Sequence, residues 1–68
     1  MPNHVYKSIE ITGSSSKTVE DAINGAIAKA ANTLHNLRWF QGEVRGAIEA
    51  NKVSHWQVTM KLGFTLDD

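Results

Sequence analysis

From Trp56 to Leu66 every second residue is apolar. Trp56, Val58, Met60, Leu62, Phe64 and Leu66 alternate with His55, Gln57, Thr59, Lys61 and Thr65. A period of two sends these sets to opposite faces of a strand. The apolar face then needs a cover, which the chain must either supply or borrow.

The segment before it supplies one. Val19, Ala22, Ile23, Ala26, Ile27, Ala30, Ala31 and Leu34 recur at three-and-four spacing beside a polar face of Glu20, Asp21, Asn24 and Lys29. This predicts one long amphipathic helix with a slim, alanine-rich face, running to about Leu37. Ser15 or Ser16 is the expected N-cap, because serine oxygens accept from the free amides of a first turn. Glu20 and Asp21 in that turn, and His35 and Arg38 at the far end, suit the helix dipole.

Two further strands complete the set. Val5, Ile9 and Ile11 alternate with Tyr6, Ser8, Glu10 and Thr12, until Gly13-Ser14-Ser15-Ser16 breaks the pattern. Lys7 falls on the apolar parity, which is tolerable near a strand end where its ammonium reaches water along its stem. After the helix, Phe40, Val44 and Ile48 share one parity, and Trp39, Gln41, Glu43, Arg45 and Glu49 the other. Glu49-Ala50-Asn51-Lys52 reads as the hairpin connection to the last strand. The expected fold is α+β: a β-α-β-β order, with a three-stranded antiparallel sheet wrapped around one long helix in a single domain over residues 1–68. One sheet face has no cover within the chain.

Size sharpens that point. A chain of 68 residues buries only about 60% of its unfolded surface, and its own core supplies roughly 3–5 kcal/mol. The sequence has no cysteine for disulfides, and a structural zinc site lacks thiolates and closely spaced histidines. Oligomerisation is the remedy left. Seven basic residues balance seven acidic ones with no like-charge run, which argues against nucleic acid or an anionic membrane as partner. No apolar stretch approaches the ~20 residues that span a bilayer. Met1-Pro2-Asn3-His4 lacks the apolar core of a signal peptide, so the expected location is cytoplasmic.

The two tryptophans have opposite parities relative to the core. Trp56 shares the helix-facing side with Val58, Met60 and Leu62, where an indole is ordinary packing. Trp39 is opposite to Phe40, so if Phe40 faces the helix then Trp39 projects from the outer face. A neighbouring subunit or a planar ligand stacked on its ring would serve it, and the residue pattern leaves both open. Gln57 lies on the same outer parity, and its amide can donate to and accept from a ring edge with alternating carbonyl and N–H groups. An exposed strand glutamine needs no such role. Arg45, also outward, carries a fork suited to phosphate or carboxylate, and a salt bridge to Glu43 or Glu10 is equally available.

Catalytic and metal signals are weak. Gly13-Ser14-Ser15-Ser16-Lys17-Thr18 lacks the spacing of a phosphate-binding loop and the glycine before its lysine. His4, His35 and His55 are scattered, with no thiolate and no i, i+4 pairing. The serines cluster in a turn with no histidine at fixed spacing, so no nucleophile is marked.

The arrangement resembles the dodecins, small flavin-binding proteins that assemble into hollow twelve-subunit shells. The resemblance spans nearly the whole chain. It rests on His4-Val5-Tyr6-Lys7, the turn from Thr12 to Ser15, Thr33-Leu34-His35-Asn36-Leu37, Trp39-Phe40, Arg45-Gly46 and the closing run His55-Trp56-Gln57-Val58-Thr59-Met60-Lys61-Leu62-Gly63-Phe64. It implies a non-enzymatic cytoplasmic protein that stores and buffers a flavin (FMN, riboflavin or FAD). In that reading Trp39 stacks on the ring, Gln57 hydrogen-bonds its pyrimidine edge, and symmetry-related tryptophans clasp paired flavins between subunits. Family members also often carry coenzyme A, whose phosphates Arg45 or Lys7 could meet. The other readings are an oligomeric scaffold, a coenzyme A-binding protein with no functional flavin site, or a redox enzyme, for which no acid, base or nicotinamide-binding element is visible.

One departure stands out. Between Trp39-Phe40 and Arg45-Gly46 this chain reads Gln41-Gly42-Glu43-Val44, one residue shorter than the usual family pattern. Losing one residue flips side-chain parity beyond the gap unless a bulge absorbs it, which bears directly on Arg45. Gly42 also withholds a packing contact on the inner face.

Overall fold

The computed structural model describes residues 3–66; Met1 and Pro2 of the expected leader-free start, and the last two residues, lie outside the described residues. The chain forms β1 (Tyr6–Ser15), α1 (Val19–Ala30), β2 (Leu37–Glu49) and β3 (Lys52–Thr65). The sheet is antiparallel with order β1-β3-β2, so the most regularly alternating strand sits in the centre. The β-α-β-β, α+β architecture expected from the periodicities is the one observed.

The core follows from the pleat. Val58, Met60 and Leu62 on β3 and Ala22 on α1 are buried, with Ile9, Ile11, Ile23, Ala26, Ile27 and Leu37 packed against them. The helix rests on β1 and β3. It approaches β1 closely because Gly13 has no side chain: a Cβ there would overlap the Ala22 carbonyl oxygen and come within 2.9 Å of Ala26 Cβ. The expected break at Gly13 therefore does not occur, and β1 runs on to Ser15 opposite Trp56.

Both helix ends differ from expectation. The N-cap is Thr18, whose Oγ1 accepts from the Asp21 amide at 2.9 Å. Ser15 is a buried strand residue instead; its Oγ donates to Asp21 Oδ2 at 2.7 Å and accepts from the Lys17 amide at 2.9 Å, tying the strand to the helix start. The helix ends at Ala30, not near Leu37, and Lys29 is the base in its last turn. Leu34 closes a final turn to Ala30 at 2.9 Å, and the chain then reverses through Asn36 at φ 64°. Asparagine tolerates that left-handed conformation better than most residues. The reversal lets Leu37 pair with Phe64, which helix continuation would prevent, and leaves His35 and Arg38 beyond the helix.

Ala50 and Asn51 form the expected two-residue hairpin turn, with φ of 51° and 63°, the type I′ signature. The long β2–β3 hairpin makes the chain elongated, 53 × 20 × 16 Å, with a radius of gyration of 14.3 Å. A compact domain of this length has about 11 Å. Beyond the reach of the helix, the apolar residues of β2 lack cover: Phe40 is 49% and Val44 53% exposed. Trp56, expected in the core, is on the helix side but only half-buried.

Candidate functional site: the outer face of the sheet

A bulge decides where the indole of Trp39 points. Leu37 pairs with Phe64 and Trp39 pairs with Gly63, so Arg38 is the extra residue between two adjacent partners. Directly opposed residues share a face of the sheet. Leu37 therefore joins the core beside Phe64, and Trp39 stands on the outer face with Gly63 and Ser8. Without the bulge, Leu37 and Trp39 would share one face, because they are two apart in sequence.

Trp39 is exposed, at 41%, and its indole lies over Gly63. A Cβ on that glycine would overlap Cε2, Cζ2 and Cδ2 of the ring, so the indole occupies the space a side chain would take. Tyr6 meets it edge-on, with ring centroids 6.4 Å apart at 62°. That geometry suits the aromatic quadrupoles.

The second cluster sits at the other end of the same face. Arg45 opposes Gln57, and its Nε donates to Gln57 Oε1 at 3.0 Å. The Gln57 oxygen is thus engaged as an acceptor, and its amide nitrogen is a donor. From Trp39 to Ala47 the pairing with β3 is regular, with the only shifts in β2–β3 register at Leu37/Trp39 and Ala47/Ile48. No bulge falls between Trp39 and Arg45, and both project outward. Gly42 makes this possible: a Cβ there would overlap the Thr59 carbonyl oxygen and lie 2.8 Å from Met60 Cβ.

Between the two clusters lies an open polar depression of ≈ 340 Å³ lined by Glu10, Gln41, Gly42, Glu43, Thr59 and Lys61. Thr12 and Thr59 hydroxyls bond across the strands at 3.0 Å beside it. Gln57 and Gly63, the partners of Arg45 and Trp39, are six residues apart on β3, about 20 Å at a strand's rise per residue. One fused tricyclic ring does not bridge that gap. Lys7 is exposed on β1 opposite Phe64, on the helix side, and so within one chain it does not join the other three candidates. Among the described residues no group of three or more His, Cys, Asp or Glu could hold a metal ion, and no helix is long and apolar enough to cross a membrane.

Residues 5–67 match the family model described as Dodecin. The chain belongs to the dodecin family. A dodecin from Thermus thermophilus is 42% identical over 65 residues, which cover 94% of each chain. The solved dodecin from Streptomyces coelicolor superposes with a TM-score of 0.87 at 45% identity, covering 100% of this chain and 99% of that one. The dodecin from Streptomyces davaonensis gives 0.86 at 48% identity, covering 98% of this chain and 100% of that one. The chain thus shares its relatives' fold along its whole described length.

Sequence reasoning identified Trp39, Gln57 and Arg45 as outward-facing. It missed Gly63 and Tyr6, which stand against the indole. Their roles depend on which residues oppose each other across strands, and no spacing along one strand reveals that.

Proposed function

We propose that this chain is a non-enzymatic flavin-binding subunit that stores and buffers a flavin in a homo-oligomeric shell, a dodecamer by family analogy. The observation that carries the reading is the outward indole of Trp39, seated on Gly63 with a face left for a planar ring. Stacking on such a face is worth about 1–3 kcal/mol by analogy with base–aromatic stacking. The Gln57 amide selects the hydrogen-bonding edge of the ring, and the Nη groups of Arg45, whose Nε is engaged by Gln57, are left for the phosphates of coenzyme A.

The separation of about 20 Å between Trp39 and Gln57 along the sheet means that a ring touching both must take them from different copies. Residues of the right chemistry are present, and their spacing fits a site built between subunits. The pocket then exists only in the assembly, in keeping with a chain too small to enclose a tricyclic ligand. Phe40 and Val44, exposed on the helix side of β2, supply apolar area for the subunit contacts. The indole also donates an electron to the excited flavin, which quenches its fluorescence. No bond is made or broken.

Titration of riboflavin or FMN with purified protein tests this. Quenching by the parent protein and its loss in Trp39→Ala, with the oligomer intact by sedimentation, supports the reading; undiminished flavin fluorescence in the presence of parent protein refutes it. The exposed apolar strip of β2 also favours a purely scaffolding role. That role predicts that Trp39→Ala dissociates the oligomer.

A further inference from the structure

Trp39 has two rotatable side-chain bonds, yet its neighbours leave it little choice of position. Gly63 lies directly beneath the ring, and the overlapping atoms would be the fused bond Cδ2–Cε2 and the adjacent Cζ2, so the flat of the indole crosses the glycine. Tyr6 closes one flank at a steep interplanar angle of 62°, and His4 continues the row, 6.4 Å from Tyr6 at 56°. Gly63 is buried while Tyr6 is 48% exposed, so one neighbour is a floor and the other a side wall. Gly63 is not at positive φ, and its backbone conformation alone does not call for glycine. The space taken by the indole does.

We propose that Gly63 and Tyr6 are positioning residues that set the height and tilt of the Trp39 ring above the sheet, and thereby determine which planar ligand fits against it. The ligand half of this statement rests on the flavin reading above; the indole half does not. Non-bonded carbons settle at about 3.5–4.0 Å. A methyl group at position 63 must therefore push the ring outward by roughly 1 Å or more, since the unshifted ring overlaps it. Where two such rings face each other across a shared ligand, the slot narrows from both sides. A side chain at position 63 acts as a spacer under the platform, and the Tyr6 edge restrains its tilt.

The test uses the full-length assembled protein in a Trp56→Phe background, so that indole fluorescence reports Trp39 alone. Gly63→Ala should shift the indole emission and weaken riboflavin binding about tenfold, as an overpacked contact does. Tyr6→Ala should lower the fluorescence anisotropy of the ligand-free indole and weaken riboflavin about three- to tenfold, the scale of an aromatic edge contact. Tyr6→Phe keeps the ring and should match the parent in both signals, which a requirement for the hydroxyl would not allow. The quenching depth at saturation should also fall in Tyr6→Ala, since an indole held at the wrong tilt stacks less closely; a purely structural role would leave it unchanged. If Gly63→Ala fails to assemble, the two Tyr6 variants still decide the matter. Unchanged anisotropy, quenching and affinity in Tyr6→Ala would overturn the proposal, as would Tyr6→Phe behaving like Tyr6→Ala. If the parent does not bind riboflavin, the flavin reading falls, and the anisotropy comparison alone decides whether these residues position the ring.

Discussion

Gly42→Ala is expected to be destabilising because β2 lies close against β3 at this position. No glycine among the described residues has positive φ, so alanine can adopt the backbone conformation at position 42. On propensity alone the change would add about 0.5–1 kcal/mol of stability in a strand interior. Against this, the new Cβ would overlap the Thr59 carbonyl oxygen and lie 2.8 Å from Met60 Cβ and 2.9 Å from Met60 Cα. Two of these three are backbone atoms of β3, and the third is fixed to the buried Met60, so no flexible side-chain end can move aside. The strands must separate at the Gly42–Met60 pair, and overpacking of this kind costs about 1–3 kcal/mol. With the steric effect near the top of its range, the net loss is about 2 kcal/mol. In a chain of this size that lowers the melting midpoint by about 8–16 °C. Urea and thermal melts at one fixed protein concentration, which holds the assembly equilibrium constant, would read the difference. Gly42→Val with one residue inserted after it should recover much of the loss, because a bulge moves the side chain off Met60. A Gly42→Ala protein as stable as the parent, or more so, would refute the reasoning and with it the close β2–β3 approach that keeps Trp39 and Arg45 on one face.

Other perturbations have defined outcomes. The turn residues Ala50 and Asn51 both hold positive φ, so Ala50→Asn combined with Asn51→Gly should raise stability by about 1 kcal/mol, read as a higher urea midpoint. Thr18→Ala removes the acceptor for the Asp21 amide and should cost about 1 kcal/mol in the same assay. Val44→Asp places a charge on the uncovered strip of β2, and sedimentation should show smaller species; an unchanged particle would exclude that strip from the subunit contacts. Gln57→Leu should weaken riboflavin about tenfold, the effect of losing a hydrogen bond to a buried ring edge, while leaving the quenching depth at saturation intact.

The period of two carried most of the site. It separated Trp39 from Phe40, placed Gln57 opposite in parity to Trp56, and put the strongest alternation in what proved to be the central strand. It could not locate the helix end, because the apolar spacing runs on through Ala31 and Leu34 while the stop is set by Asn36 and by the pairing of Leu37 with Phe64. Nor could it reveal the bulge at Arg38, which no glycine or proline marks and which turns Leu37 inward and Trp39 outward. Nor could spacing along the strand show that pairing stays regular from Trp39 to Ala47, with Gly42 allowing the close approach that keeps Arg45 on the outer face. Lys7, opposite Phe64 on the helix side, lies on the other face of the sheet from Trp39, Gln57 and Arg45.

A crystal structure of the assembled protein with riboflavin would test the inter-subunit flavin site most directly. The account predicts an isoalloxazine ring parallel to the Trp39 indole at about 3.5–4.0 Å, with the Gln57 amide at its pyrimidine edge coming from a different copy of the chain. Riboflavin bound away from Trp39, or contacting Trp39 and Gln57 of one and the same chain, would contradict it.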